Sequence, residues 1–237
     1  MEEVRKTSPA LPEKRGRGRP RHQEPSREYL ARQSDIIDVA VKVFREKGYD
    51  AGSLDEIAAA LDLRKATLYY YVRSKAELLY LIFDRAITEG LDRLDTIAYL
   101  GSGVDIIETL IEHQVHGIAN NPELFAVFFD HRPRLSPKYE ASIRAKEQRY
   151  LQLFSDLLVK AMQDGSVADV DPRYAAHALI GMTSWLYKWF DPARDDAEAF
   201  AETATALVRK GIRPLRSEES ATRSRSVSRK RALQKEQ

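Results

Sequence analysis

Residues 53–75 constrain the fold of this chain more than any other stretch, because they read SLDEIAAALDLRKATLYYYVRSK. Ser53 and Glu56 have the spacing of a capping box, in which the hydroxyl accepts from a free helix amide and the carboxylate reaches back. The apolar residues that follow recur at helical spacing. Asp62 falls in a turn that needs left-handed backbone geometry, which Asp tolerates. The segment predicts a short helix, a tight turn and a second helix over 64–72.

The second predicted helix carries groups suited to DNA. Lysine and arginine neutralise phosphates, tyrosine hydroxyls can donate to phosphate oxygens, and small side chains fit against a thymine methyl. Its inward anchors are predicted to be Leu63, Leu68 and Val72, and three adjacent tyrosines cannot all face a core because consecutive residues point about 100° apart. An ordinary surface helix with structural tyrosines is the alternative. The predicted DNA-contacting residues are Ser53, Arg64, Lys65, Ala66, Thr67, Tyr69, Tyr70, Tyr71 and Lys75.

From Ile36 to Leu79 the chain resembles the TetR family of bacterial regulators. The matching positions are Ala40, Phe44, Gly48, Tyr49, Ser53, Ile57, Ala58, Leu63, Lys65, Ala66, Thr67, Leu68, Tyr69, Tyr70, Ser74, Lys75, Leu78 and Leu79. Asp62, Arg64, Tyr71 and Val72 depart from the residues usual in the family, and these departures bear on which operator is read. The resemblance implies a transcription regulator that binds double-stranded DNA and is not an enzyme.

The rest of the chain is predicted to be helical. Pro122, Pro137 and Pro172 each follow a residue of the capping type, which is the start signal of a helix. No window alternates with period two for long enough to indicate a sheet. The sequence predicts an all-α protein with a helix-turn-helix domain at 34–78 and a helical ligand-binding and dimerisation domain at 79–214. The nine predicted helices are 35–47, 54–61, 64–72, 75–99, 104–119, 122–131, 137–164, 172–190 and 195–211.

Both ends of the chain are basic, which the net charge of +2 hides. Residues 1–33 hold nine Lys and Arg against five Asp and Glu and lack apolar periodicity, so we expect a disordered arm. Within it, Arg17 and Arg19 belong to an RGRP run that matches the core of an AT-hook, whose arginines favour narrow minor grooves. A solvated charge run is the alternative. Residues 215–237 are likewise expected to form a disordered basic tail.

The last two predicted helices each carry an apolar stripe, which packs either within the subunit or against a second copy. The resemblance favours the second copy, since TetR relatives dimerise through their last two helices. Two recognition helices related by a two-fold axis would read a palindrome. The predicted interface residues are Ala175, Leu179, Met182, Leu186, Ala201, Ala204 and Val208.

Aromatic and apolar residues between the helix-turn-helix domain (the reader) and the predicted dimer interface favour either a ligand cavity or plain core. Residues 181–190 are similar to TetR regulators of fatty-acid and sterol degradation, several of which sense acyl-CoA thioesters. Cations around residues 124–129 could meet phosphates of an acyl-CoA, and a salt-bridged solvated face is the alternative. Those cations are Arg132, Arg134, Lys138, Arg144, Lys146 and Arg149. The candidate ligand-binding residues are Phe125, Phe128, Phe129, Arg149, Tyr150, Phe154, Met182 and Trp185.

Several classes of protein are disfavoured. The chain has no cysteine, and His113 and His116 lack further ligands, so we expect no metal or other cofactor. No apolar run approaches a membrane span and no signal peptide opens the chain, so we expect a cytoplasmic bacterial protein, associated with the nucleoid when bound. The predicted function is a ligand-responsive repressor. An activator or ligand-independent regulator with the same reader stays open, as does an architectural DNA-binding protein dominated by its basic tails.

Overall fold

The computed structural model describes residues 25–99, 105–165 and 167–211, and every regular element in these ranges is helical. The all-α prediction is confirmed, and α8 with α9 takes the place of one longer predicted helix. No helix in these ranges is long and apolar enough to cross a membrane. The helices are α1 Arg27–Ala51, α2 Leu54–Ala60, α3 Lys65–Tyr71, α4 Lys75–Ala98, α5 Ile106–Ala119, α6 Pro122–Asp130, a 3-10 turn Arg132–Arg134, α7 Pro137–Gln163, α8 Pro172–Ser184, α9 Leu186–Trp189 and α10 Ala197–Gly211.

Helix α1 begins at Arg27, eight residues before the predicted start at residue 35. Its cap is Ser26, whose hydroxyl accepts from the amide of Tyr29 at 3.2 Å. The Tyr29 ring packs against Tyr71 and Tyr70, with centroid distances of 4.9 and 5.7 Å. Contacts with a segment about 40 residues away in sequence therefore stabilise these first turns, which apolar periodicity does not reveal. The part of the predicted arm from Arg27 onward is therefore helical. Residues 1–24 and 212–237 lie outside the described residues, so the disordered arm and tail stay predictions there.

The α2–α3 turn has the geometry that its sequence predicts. The Ser53 hydroxyl accepts from the Glu56 amide at 3.2 Å, and the Glu56 carboxylate accepts from the Ser53 amide at 3.0 Å. Asp62 adopts a φ of +52°, and the amide of Leu63 donates to the Ala58 carbonyl at 2.8 Å. The capping box and the left-handed turn are both confirmed. They set the angle at which α3 leaves the domain.

Helix α4 connects the two hydrophobic cores of the molecule. Its N-terminal half contributes Leu78 and Phe83 to a core shared with α1, α2, α3 and α6. Its C-terminal half contributes Leu94 to a second core with α5, α7, α8 and α10. Because one uninterrupted helix contributes to both cores, a shift of α4 in the second core is transmitted to the first.

The predicted helix over 172–190 bends at Trp185, which separates α8 from α9. The hydroxyls of Thr183 and Ser184 donate to helix carbonyls of the preceding turn, at 3.0 Å to Leu179 and 2.6 Å to Ile180. Such back-bonding bends helices. The bend lets α9 pack on α6.

Candidate nucleic-acid interface and ligand cavity

Helix α3 is held by Leu68 and by its C-cap Val72, and it exposes most of its other side chains. Leu68 and Val72 are fully buried against α1 and α4, while the partly buried Leu63 packs at the edge of the same core. The predicted anchors are therefore confirmed. The exposed residues of α3 and its N-cap are Arg64, Lys65, Ala66, Thr67, Tyr69 and Tyr70.

Lys65 is the one exposed cation of α3 with an ion-pair partner among the described residues. Its ammonium lies 2.8 Å from a carboxylate oxygen of Asp55 on α2, and this hydrogen bond raises the pKa of Lys65. Both side chains are well exposed and solvent screens their charges, so the pair adds little stability. A phosphate can therefore compete with Asp55 for Lys65 at small cost.

Three predicted DNA contacts also engage groups of the domain itself, and their contact with DNA stays a prediction. Tyr71 is half-buried in the ring cluster with Tyr29 and Tyr70, because it follows Leu68 by three residues and shares its inward side. The Lys75 ammonium donates to the Asp50 carbonyl at 3.0 Å and lies 4.6 Å from the centre of the Tyr49 ring.

Ser53 is half-buried, and its hydroxyl and amide are both used in the capping box. Ser53 thus caps α2, Lys75 joins the start of α4 to the end of α1, and Tyr71 packs α3 against α1. Arg17 and Arg19 lie outside the described residues.

A cavity of about 370 Å³ lies behind the reader, between α4, α5, α6, α7 and α8. Four of the predicted ligand-binding residues line it, namely Phe125, Phe128, Phe129 and Tyr150. The three phenylalanine rings contact one another, with centroids 5.1 Å apart for Phe128 and Phe129. The remaining lining residues are Ala86, Ile87, Gly90, Arg93, His113, Gln114, Gly117, Ile118, Arg144, Glu147, Gln148, Leu151, His177, Ile180 and Ser184.

The other four predicted ligand residues do not line this cavity. Phe154 is fully buried in the second core, and Met182 packs half-buried beside it. Arg149 points away from the cavity wall and pairs with Asp95 at 3.0 Å. Trp185 lies exposed at the α8–α9 bend. An aromatic residue can serve a core, a cavity or a surface, and residue type does not distinguish them.

Sequence reasoning missed a polar cluster at one end of the cavity. The Tyr150 hydroxyl donates to Oε1 of Gln114 at 2.7 Å and lies 3.4 Å from Nε2 of His113. Burial, and then the nearby charge of Arg93, lower the pKa of His113 to about 4, while burial raises the pKa of Tyr150. Both groups are neutral at neutral pH. The sequence signal that could have revealed this cluster is the pair His113 and Gln114, which lies one turn after Leu110 on an otherwise apolar stripe of α5.

Two glycines allow this cluster to lie close to the helices. A Cβ at Gly90 on α4 would lie 3.0 Å from the Tyr150 ring. A Cβ at Gly117 on α5 would lie 3.1 Å from Nη1 of Arg93. Both distances are shorter than an ordinary van der Waals contact. Glycine at these positions therefore lets Tyr150 and Arg93 pack directly against α4 and α5.

Most cations around α6 and α7 are paired with carboxylates, which supports the salt-bridged alternative for this face. Lys138 instead lies 4.9 Å from the centre of the Tyr139 ring. Exposed pairs of this kind contribute little stability, so a phosphate would compete for these cations at small cost, as it would for Lys65. The pairs are Arg132–Glu147 at 3.0 Å, Arg134–Asp50 at 2.6 Å, Arg144–Glu140 at 2.5 Å, Lys146–Asp84 at 2.6 Å and Arg149–Asp95 at 3.0 Å.

The residues predicted for the dimer interface pack mostly inside the subunit. Five are buried in the second core, namely Leu179, Leu186, Ala201, Ala204 and Val208, and the other two, Ala175 and Met182, are half-buried beside it. Helix α10 packs on α5 and directs its stripe into the subunit's own core. An interface through Ala175 and Met182 stays a prediction. The same helices and the bend between them expose a different apolar set, formed by Tyr174, Trp185, Trp189 and Leu207.

The two histidines on α5 have separate surroundings. His113 borders the cavity, whereas Nε2 of His116 lies 3.1 Å from Glu198 on α10. Among the described residues, no group of three or more His, Asp or Glu side chains is arranged to hold a metal ion.

The buried His113 should make stability depend on pH. Its pKa is about 4 in the folded protein against an ordinary 6.5, so between these values only the unfolded chain takes up the proton. Stability is then complete above about pH 6.5 and falls toward pH 4. We expect His113→Gln to remove up to about 3 kcal/mol of this pH dependence, measured by urea unfolding from pH 4 to 7. His116→Gln is the control and should retain it; equal slopes for wild type and His113→Gln would contradict the assignment.

Comparison with known proteins finds matches over both parts of the chain. Residues 36–80 match the bacterial regulatory proteins of the tetR family, and residues 101–212 match the tetracyclin repressor-like C-terminal domain. The biofilm operon icaADBC HTH-type negative transcriptional regulator IcaR of Staphylococcus aureus is 24% identical over 155 residues, covering 65% of this chain and 81% of IcaR.

Solved structures show the same fold. A TetR/AcrR-family transcriptional regulator from Thermobifida fusca is 35% identical, covers 78% of this chain and all of its own, and has a TM-score of 0.61. PfmR from Thermus thermophilus is 28% identical over 76% of this chain and 98% of its own, with a TM-score of 0.68. AibR, solved in complex with isovaleryl coenzyme A and operator DNA, is 26% identical over 75% of this chain and 97% of its own, with a TM-score of 0.66.

Proposed function

Because this chain belongs to the TetR family of bacterial transcriptional regulators, which are DNA-binding proteins and not enzymes, we propose that it is a homodimeric repressor released from its operator by a small apolar effector. The proposal rests on the observation that α4 connects two sites. One is the exposed face of α3, and the other is the apolar cavity behind it. Such a regulator acts in the bacterial cytoplasm on the nucleoid.

The reading of DNA divides between two kinds of residue. Arg64 and Thr67 lie exposed at the start of α3, the end of a recognition helix that contacts base edges. Tyr69 and Tyr70 lie further along and contact the sugar-phosphate backbone, as does Lys65 once it leaves Asp55. The basic residues of 1–24 and 212–237 add affinity that is independent of sequence.

A second copy of the chain covers the exposed apolar set at α8, α9 and α10. Trp185 and Leu207 are 61% and 63% exposed, which is unusual for large apolar side chains on a folded domain. Aromatic anchors of this kind are typical of stable interfaces. A two-fold axis through this face places two α3 helices in successive major grooves, about 34–36 Å apart, so the operator is a palindrome.

The proposal that the protein represses transcription is supported by its similarity to IcaR, which is a negative regulator. An activator or a ligand-independent regulator would use the same reader. An architectural protein would coat DNA through the basic ends. Selection of bound sites from random duplexes, followed by footprinting, tests the proposal: a discrete palindrome supports it, while uniform protection supports the architectural function and overturns ours. Release of the footprint by an effector separates the repressor from the ligand-independent regulator.

The effector occupies the cavity lined by Phe125, Phe128 and Phe129. An acyl-CoA is one candidate, supported by the complex of AibR with isovaleryl coenzyme A. The cations around α7 would have to leave their carboxylates to bind its phosphates. Isothermal titration with short- and long-chain acyl-CoA esters and with the matching free acids tests whether the effector is an acyl-CoA. Binding of the esters alone supports an acyl-CoA effector, whereas no binding of any ester removes it.

Effector and operator are coupled through the end of α1. Helix α6, which carries the three phenylalanines, continues into the 3-10 turn, where Arg134 pairs with the Asp50 carboxylate at 2.6 Å. The carbonyl of the same Asp50 accepts from Lys75, the first residue of α4. Ligand that favours another position of α6 therefore also shifts the helix that joins cavity to reader. Operator affinity falls because the population of dimers with correctly spaced α3 helices falls.

Replacing Arg134 with methionine should weaken this coupling more than either binding event. The aliphatic part of the side chain is kept, while the ion pair with Asp50 is lost. We expect effector affinity and operator affinity to change little, and the coupling free energy between them to fall by about 1 kcal/mol. Anisotropy titrations of labelled operator with and without effector measure it. Arg194→Met, in the loop before α10, is the matched control, and an unchanged coupling in Arg134→Met would contradict this route.

A further inference from the structure

We infer that the cavity takes a small, largely apolar molecule whose polar end is an oxygen that accepts hydrogen bonds, such as a carbonyl, and that it rejects cations. The inference rests on the proposed function and names the chemical class of its effector. It depends on the polar cluster formed by Arg93, His113, Gln114 and Tyr150.

The body of the ligand has to be apolar. At one side of the cavity the rings of Phe125, Phe128 and Phe129 form a continuous aromatic wall, and Phe128 is backed by Phe83 at 4.8 Å. Ile180 and other aliphatic residues complete the lining. An apolar surface of this kind gains free energy by covering the hydrocarbon part of a ligand and offers it no polar partner.

The Tyr150–Gln114 pair presents a donor to the cavity because the Gln114 oxygen is already used. The Tyr150 proton is directed to Oε1 of Gln114 at 2.7 Å, so the oxygen of that amide is occupied. The amide nitrogen of Gln114, which makes no hydrogen bond with any described residue, is the part of this side chain that remains for a ligand. A side-chain amide nitrogen is a donor only, so its partner must be an acceptor.

Arg93 adds a second donor and a positive field. Its guanidinium lies 3.6 Å from a carboxylate oxygen of Glu89, but that carboxylate also binds Arg85 at 2.9 Å. Two guanidinium groups thus share one carboxylate. Burial lowers the pKa of His113, and the charge of Arg93 lowers it further. An electronegative oxygen is favoured at this end of the cavity, and an ammonium group is repelled.

A cationic ligand finds no free carboxylate in the lining. Glu147 is the one acidic residue there, and it is bonded to Arg132 at 3.0 Å. His113 and Tyr150 lie 3.4 Å apart and are both neutral, so neither supplies negative charge. Burying an unpaired ammonium in this cavity would therefore be costly.

The glycines on the neighbouring helices support a built site over an accidental gap. Gly90 and Gly117 are the positions where a Cβ would press on Tyr150 and Arg93, the two largest members of the cluster. Glycine in a helix interior is unfavourable compared with alanine. Its presence at both contact points keeps the polar groups in the position from which they face the cavity.

Four probes of matched length test the class of ligand: 2-nonanone, octanoate, octylammonium and nonane. We expect the full-length protein to bind 2-nonanone at least about tenfold more tightly than nonane or octylammonium in isothermal titration, since a site with unpaired donors discriminates against a ligand that cannot accept. Octanoate also carries an accepting oxygen, so its affinity relative to the ketone tells whether Arg93 prefers a carboxylate or a neutral carbonyl. Equal or tighter binding of octylammonium or nonane, or no binding of any probe, overturns the inference.

Variants of the cluster locate the effect. Gln114→Leu should remove most of the preference for 2-nonanone over nonane, whereas Gln148→Leu, on the same cavity wall but outside the cluster, should keep it. Tyr150→Phe retains the ring, frees Oε1 of Gln114 to face the ligand and should reduce the preference. A preference unchanged in both Gln114→Leu and Tyr150→Phe overturns the assignment.

Footprints made without ligand separate this inference from the proposed function. A protein that protects a palindrome but prefers octylammonium refutes the ligand class alone. A protein that protects no discrete site refutes the proposed function, whatever the probes do.

Discussion

Replacing Thr67 with aspartate should lower operator affinity about a thousandfold, to the level of non-specific binding. Thr67 is exposed in the first turn of α3, next to Arg64 and Lys65, and makes no contact that the fold needs. A carboxylate there would face the negative potential of the groove and its phosphates, and like charges brought together in this way cost several kcal/mol. Fluorescence anisotropy with the selected operator, at one fixed salt concentration, measures the loss.

The control for this variant is Thr96→Asp. Thr96 is exposed near the far end of α4, so the substitution changes net charge equally without adding charge to α3. It should leave operator affinity nearly unchanged. Circular dichroism and the thermal midpoint should be the same for both variants, because both threonines are exposed. If Thr67→Asp binds the operator within about threefold of wild type, α3 is not the element that enters the groove.

Replacing Trp185 with glutamate should convert the dimer to a monomer and reduce operator affinity by a similar factor. The Trp185 side chain lies exposed at the α8–α9 bend, and Tyr174 and Leu207 are exposed on the adjoining helices α8 and α10. In an isologous interface every substitution occurs twice, and near the axis the two new carboxylates lie close to each other. Truncation of a central aromatic anchor alone costs 2 kcal/mol or more, roughly, and the charge adds to it. A monomer keeps one α3 helix and loses the second half-site.

Sedimentation velocity at micromolar protein reports the assembly state. Tyr99→Glu is the matched control, since Tyr99 is the most exposed of the large hydrophobic side chains described, at 89%, and lies at the end of α4 instead of on α8, α9 or α10. It should remain dimeric. Leu207→Glu, on α10, provides an independent second variant with the same expected outcome as Trp185→Glu. A stable dimer in both variants would place the interface elsewhere.

Features governed by local geometry were predictable from the sequence. The capping box of Ser53 and Glu56, the left-handed turn at Asp62 and the proline starts of α6, α7 and α8 each depend on a few consecutive residues. The inward direction of Leu68 and Val72 follows from helical spacing alone. These interactions form within one or two turns, so the residue types in their order are enough to indicate them.

The choice between chemically equivalent faces was decided by tertiary structure. Leu179 and Ala204 lie on apolar stripes that could pack in either direction, and the docking of α8 and α10 onto α5 and α7 turned them inward. Tyr71 and Lys75 have the composition of DNA contacts, yet neighbouring segments engage them. The extension of α1 to Arg27 depends on Tyr29 meeting rings far along the chain.

The cavity shows the same division. Its aromatic residues could be listed from composition, but only the folded chain brings Tyr150 of α7 to Gln114 of α5 and places Gly90 where the ring can pass. Helical period and residue type determined which elements form and which side chains could contact a phosphate or a ligand. Which of those side chains remain free was decided by packing between helices, because burial and pairing depend on partners that are distant in sequence.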